Sequence, residues 1–405
     1  MEQIKKQLPA HSEWKAMLHA PTVGQAVLVA ALFFLSCLIL PITDHAVVAQ
    51  LYTVLCAVFC YLLLRSFRGL LLYALPAFVL YMLSGIVPSI QSPITLTAAF
   101  LTILVGGSCG GFFLTHYHSP RKYPFILLLP PSAYGIATWV TGDPLRGLLT
   151  LIPLAVAIVT AICLLRLIER PTATALIAGT LAATLAIAGL ITLAAIGALH
   201  GNPVVAMGDH LRSGILDRFW QIQAMYEELQ PLYAEMGVDL ALPEIDYQAV
   251  ADMLVNIFPG IFLALCAVTG FFVWRLLVQQ LVAFQSTNRL PFQLVAFTVS
   301  RVGALLFVFC GLVAIFASEL TAFSAICLNL AIVTAPGLAL IGFTSLFTRG
   351  RSCLSLLLAI GLLFLVFRNP ISGLMVAAFL GAFQILFIRF VPSPDDPDNH
   401  DKGEN

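Results

Sequence analysis

The sequence predicts an all-α fold: a polytopic bundle of transmembrane helices, about twelve spans, with one outer amphipathic helical insertion. Three observations predict it. Of 405 residues, 60% are hydrophobic and only 10% charged, with a mean hydropathy of +0.98. A soluble domain of this length needs far more charge to cover its surface. Apolar stretches of about twenty residues recur along the chain, the length that crosses a hydrocarbon core roughly 30 Å thick. The basic residues gather at alternate gaps between those stretches. Helices rather than a barrel follow from the length of the runs and the lack of two-residue alternation.

Taken in order, spans are expected near 23–40, 46–64, 69–89, 94–114, 123–140, 146–166, 172–199, 255–281, 300–317, 320–347, 350–367 and 370–390. Residues 1–22 form a polar cytoplasmic arm with Lys5, Lys6 and Lys15. The first apolar run lacks a small-residue cleavage site, so it reads as a span and not as a signal peptide. A first membrane bundle of about seven spans fills 23–200, and a second of about five spans fills 254–390. Residues 391–405 form an acidic tail expected to be disordered.

Orientation follows from the charges. With the N-terminus in the cytoplasm, only Arg146, Arg212, Arg218 and Arg368 of the 20 Lys and Arg residues fall outside. The others fall inside, which places both termini in the cytoplasm.

Residues 201–253 break the pattern. They hold nine of the 20 acidic residues, among them Asp209, Asp217, Glu227, Glu228 and Asp252, and the topology places them outside. Ile215, Phe219, Ile222, Tyr226, Leu229 and Tyr233 recur at three or four, which predicts an amphipathic helix over 211–236. Pro231 is expected to kink or split it. A second short helix is expected after Pro243, leading into the eighth span.

Polar groups inside spans are the candidate functional residues, because burying them in lipid is costly. Asn329 lies in the tenth span, seven residues before Pro336 and Gly337. It reads either as a ligand contact beside a broken helix or as an interhelical hydrogen bond beside a tolerated kink. Gln384 in the last span has the same two readings. Pro130 and Pro131 interrupt the fifth span, with Tyr134 one turn on; that span is either discontinuous beside a cavity or two short pieces. The candidate substrate contacts are therefore Asn329, Tyr134, Gln384, Pro130, Pro131 and Pro336, at a pocket shared by the fifth and tenth spans. The rival reading is local kinks closed by packing. Gly106, Gly107, Gly110 and Gly111 read as a helix-packing seam, Asp143 as a turn cap, and Trp274 with Arg275 as an interfacial anchor.

None of the nine cysteines has metal-ligand spacing with His. No zinc, nucleophile-elbow or nucleotide-loop motif is present, so no cofactor and no catalytic residue is expected. Zero net charge argues against a nucleic-acid partner.

The layout resembles the YybS-like family of bacterial polytopic membrane proteins, a domain of unknown function. The resemblance covers roughly residues 70–390. It is carried by the Gly-rich fourth span, the run YPFILLLPPSAYGIATWVTGDP, the polar segment before NIFPGIFLALCAV, and the ending FLGAFQILFIRF. Gly381 and Arg389 match that ending, while Gln384 stands near the place of the family's acid. The resemblance implies a protein of the bacterial cytoplasmic membrane whose N-terminal half is distantly similar to the substrate-binding subunits of energy-coupling-factor transporters. Two functions are carried from here. One is transport or membrane-embedded binding of a small molecule. The other is a non-catalytic envelope protein whose outer helices, 201–253, bind a partner protein.

Overall fold

In hydrocarbon a chain must satisfy its backbone groups within itself, and the helix does so locally. The computed structural model describes residues 22–42, 46–64, 93–117, 128–169, 174–197, 203–235, 246–285, 299–317, 321–349 and 353–387. Among these residues every regular element is helical. The expected third span at 69–89, the N-terminal arm and the acidic tail lie outside them.

The helices are α1 (Val23–Ile39), α2 (Ala46–Leu64), α3 (Pro93–His116), α4 (Leu129–Thr141), α5 (Leu151–Glu169), α6 (Thr174–Gly197), α7 (Pro203–Glu235), α8 (Tyr247–Gln285), α9 (Arg301–Phe316), α10 (Ala322–Arg349), α11 (Cys353–Arg368) and α12 (Pro370–Phe387). A single helical turn, Pro144–Gly147, joins α4 towards α5. Their starts follow local chemistry. Thr22 and Gln25 form a capping box at α1, and Ser300 caps α9 through the Gly303 N–H. Asp246 caps α8 by accepting from the Gln248 and Ala249 N–H groups, both at 3.1 Å.

Five segments are long and apolar enough to cross a membrane: Val23–Ile42, Thr97–His116, Pro144–Arg166, Tyr247–Leu281 and Ala322–Leu346. That fits a membrane protein, and so does the side on which the large apolar residues lie. On α9 the stripe Val302, Leu305, Phe309, Leu312 and Phe316 is exposed, while Ala304, Cys310 and Gly311 are buried. A water-soluble helix has the opposite arrangement.

The chain divides into two compact units. Unit 1 comprises residues 1–255 and 266–296. Its centre is α3, whose glycines let three neighbours approach. A Cβ on Gly106 would strike Ser36 of α1 and Pro153 of α5, and one on Gly110 would strike Phe33 of α1 and Ala157 of α5. Gly107 faces Val156 of α5 and Val273 of α8, and Gly111 faces Thr160 of α5. These pairings run α1 antiparallel to α3, and α5 parallel to it. The expected packing seam is found.

Unit 2 comprises residues 256–265 and 297–405. Its core is α10 against α12. Gly342 of α10 lies on the Ala377 carbonyl, and Gly381 of α12 on the Leu338 carbonyl, backbone against backbone. Ala331, Ala335, Ala339, Ala377, Ala378 and Ala382 fill the same cluster. Small residues are what allows helices to associate in lipid, where apolar burial drives little. Phe307 of α9 closes it, its ring 5.0 Å from that of Phe379.

Three expectations change. Pro130 and Pro131 sit in the first turn of α4, where the missing N–H has no intrahelical partner to lose; the part of the expected fifth span before residue 128 lies outside the described residues. Pro231 does not split α7, which runs from Pro203 to Glu235 with this proline inside it. Trp274 is not an interfacial anchor: it is fully buried in unit 1, with its indole N–H unpaired among the described residues. The short helix expected after Pro243 is the start of α8, a single helix of 39 residues, about 58 Å at 1.5 Å per residue.

Candidate functional site

The one polar side chain expected deep in α10 forms a joint between helices. Pro259 in α8 has no N–H, so the helix ladder is already broken there. One residue on, the Gly260 N–H donates to Asn329 Oδ1 at 2.5 Å. Asn329 Nδ2 donates to the Asn256 carbonyl at 2.9 Å and to the Ala325 carbonyl of its own helix at 2.8 Å. Asn256 and Gly260 are the two groups that would bond each other in an unbroken helix. The Asn329 amide stands between them and satisfies both. A Cβ at Gly260 would meet Asn329 Cα at 2.9 Å and its carbonyl oxygen at 3.0 Å, so only glycine fits. All of this lies within unit 2.

The other candidates divide. Tyr134, in unit 1, is half-buried, and its hydroxyl lies 3.4 Å from the Pro144 carbonyl. Its ring packs on Gly147. Asp143 caps that turn by accepting from the Leu145 N–H at 2.8 Å; its expected capping role is seen. Pro131 is exposed. Pro130 lines an apolar recess of about 10 Å³ with Phe33 and Cys37 of α1 and Leu154 of α5, far smaller than usual ligand pockets of ~300–1,000 Å³. Pro336 lies inside α10, which continues through it. Gln384 keeps a buried Oε1 with no hydrogen-bond partner among the described residues.

The sequence reading missed a polar cluster at the centre of unit 1. Ser36 of α1 donates to the Leu32 carbonyl at 2.7 Å and lies 2.6 Å from the Tyr52 hydroxyl of α2. Ser36 has one proton, so Tyr52 is the donor to it. Cys56, one turn along α2, is in hydrogen-bonding contact with Tyr52. Across the cluster, Gln280 of α8 donates from Nε2 to Ser108 Oγ and Cys109 Sγ of α3, both at 3.3 Å. Gln280 is completely buried, and among the described residues its Oε1 has no donor. These groups carry no formal charge and come from four helices.

The signal for Gln280 was weak. Trp274 and Arg275 read as the end of the apolar part of the span, which put Gln280 beyond it. The burial of Val273, Trp274, Leu277 and Leu281 shows one face of α8 continuing inward past Arg275.

Fold and interior define an all-helical protein with membrane-length apolar helices and an uncharged polar centre. Comparison with protein-family models, curated proteins and solved structures finds no match to this chain.

Proposed function

We propose that the chain is a multi-pass protein of the bacterial cytoplasmic membrane, and that unit 1 binds a small neutral molecule and carries it across. About twelve spans, cytoplasmic termini and an outer segment at 201–253 belong to this reading. So does membership of the YybS-like family, on layout alone. The observation that carries the binding role is the unpaired Oε1 of Gln280 inside the Ser36–Tyr52–Ser108 cluster. A buried acceptor without a donor costs about 1–3 kcal/mol, and a ligand N–H or O–H relieves that cost. The absence of charge around it favours a neutral ligand. Because α3 is close-packed here, entry requires α8 to shift from α3.

Helix directions support the span count. The Ser36–Tyr52 pair joins positions eight residues either side of residue 44, so α1 and α2 run oppositely. The pairs Gly107–Val273 and Phe112–Phe284 run α8 parallel to α3. A chain crossing at every expected span has its first span opposed to its second, fourth, sixth and eighth, as α1 is to α2, α3, α5 and α8. Reporter fusions after Ala234 and after Asn405 are expected on opposite sides; same-side readings overturn the topology.

The binding test is thermal unfolding of the purified protein against a panel of neutral metabolites. At least one is expected to raise the midpoint, and Gln280→Leu to abolish that rise. No rise with any compound, or one that survives the substitution, overturns the reading. The second reading, an envelope protein with a protein partner, is favoured by the exposed apolar residues of α7.

A further inference from the structure

Gln280 holds more unused hydrogen-bonding capacity than its open oxygen alone. Its side chain is fully buried on the face of α8 that meets α3, between the contact of Val273 with Gly107 and that of Phe284 with Phe112. Oε1 has no donor among the described residues. Nε2 reaches Ser108 Oγ and Cys109 Sγ, each at 3.3 Å. The Ser108 contact is longer than the usual ~2.7–3.2 Å of an N–H···O bond, and a thiol sulfur is a weak acceptor. One carboxamide therefore carries an open acceptor and a loosely held donor side by side.

The neighbouring polar groups are committed elsewhere. Ser108 Oγ donates its own proton to the Val105 carbonyl at 3.2 Å, so it is not orphaned when Gln280 turns away. Tyr52 donates to Ser36, and Ser36 to the Leu32 carbonyl. Within this cluster the Gln280 carboxamide is the group with an edge to give.

That edge selects a ligand chemistry. Its complement is an N–H and a C=O on one edge of the ligand. An alcohol fills Oε1 and leaves Nε2 as it was. An open-chain secondary amide, a peptide included, holds its N–H and C=O on opposite sides, because the trans form is strongly preferred. A ring locks the two groups on the same side in a lactam, a cyclic urea or a cyclic imide, and a primary amide has both there by construction. An ion would be buried beside no opposite charge in the described cluster, which is costly.

We propose that the ligand of unit 1 is a neutral molecule with a cis-amide edge: a lactam, cyclic urea, cyclic imide or primary amide. Its N–H donates to Gln280 Oε1, and its carbonyl accepts from Gln280 Nε2. This rests on the small-molecule reading above and names the chemical class that the site takes. On binding, Oε1 gains the donor it lacks, and one Nε2 proton passes from a long or weak acceptor to a carbonyl oxygen.

The test measures binding of four small probes to the purified full chain by saturation-transfer NMR, with empty micelles as the blank. Valerolactam carries the cis-amide edge. N-methylvalerolactam lacks the N–H, cyclohexanol offers only an O–H, and N-methylacetamide is a trans amide. Valerolactam is expected to bind about tenfold or more tighter than each of the others, the worth of one good hydrogen bond. Gln280→Leu is expected to weaken valerolactam by the same factor or more. Cyclohexanol or N-methylacetamide binding as tightly as valerolactam, and lost in Gln280→Leu, overturns the cis-amide class while the small-molecule reading stands. Valerolactam binding that survives Gln280→Leu, an equal affinity for N-methylvalerolactam, or no binding of any probe also overturns the proposal. The metabolite panel then decides the broader reading by itself.

Discussion

In unit 1, Ser36, Tyr52, Ser108 and Gln280 come from four helices and answer one another side chain to side chain. In unit 2, Asn329 reaches from α10 to α8 and answers backbone. The glycines differ in the same way. Gly110 of α3 is pressed by the side chains of Phe33 and Ala157, while Gly342 and Gly381 are pressed by carbonyls. Side chains can turn; backbone within a helix cannot without breaking its ladder. The α10–α12 crossing of unit 2 therefore has one arrangement, as does the α8–α6 crossing of unit 1, where Gly270 lies on the Ala178 carbonyl, whereas the face of α3 towards α1 and α5 is closed by side chains that can be rebuilt.

The largest effect should come from the carbonyl-backed glycines. Gly381→Leu should cost about 3 kcal/mol or more, the upper range for overpacking, read as loss of folded protein in detergent extracts. Gly110→Ala should cost less, about 1–2 kcal/mol, because the Phe33 ring can move aside. Equal costs would erase the contrast between the units.

Next comes the joint at Asn329. Asn329→Leu should lower stability by about 1 kcal/mol, near the scale of interhelical hydrogen bonds in membranes. The loss is limited because Gly260 and Asn256 can then bond each other. Denaturant titration measures it. Gly260→Val should cost more than Asn329→Leu, since its side chain meets the Asn329 backbone; the reverse order would place the contact elsewhere.

In unit 1, Tyr52→Phe removes the donor to Ser36 and should cost about 1 kcal/mol. Gln280→Leu should be neutral or slightly stabilising without ligand, because it removes an acceptor that has no donor. A large loss from Gln280→Leu would make that residue structural and remove the sharpest difference between the units. The smallest effect belongs to Arg212→Ala. Its ion pair with Asp252 is about half exposed, and such pairs contribute ~0.2–1 kcal/mol. Scanning calorimetry should show almost no shift.

Helical class, most helix positions and the Asp143 cap were legible because they are local. A twenty-residue apolar run has only one way to satisfy its backbone in lipid, and Asp143 sits beside the N–H group it caps. The glycine seam of α3 was legible for the same reason. What Pro130, Pro131 and Pro231 do was not legible in the sequence, because the effect of a proline depends on where the helix starts and on how it packs. Residues inside apolar runs were judged from type alone.

The sequence by itself determined that this protein is helical, that its helices are of membrane length, and that one acidic segment differs from the rest. Only the tertiary structure decided which polar groups meet. Gln280 and Ser108 are 172 residues apart, and Asn329 and Asn256 are 73 apart. In a water-soluble protein the apolar stripe of a helix points inward and reveals its neighbours. Here lipid is as apolar as the interior, so Leu305 outside and Phe307 inside look alike in sequence. Which face turns to the core, and hence which side chains converge, is settled by the close approach of small residues on separate helices.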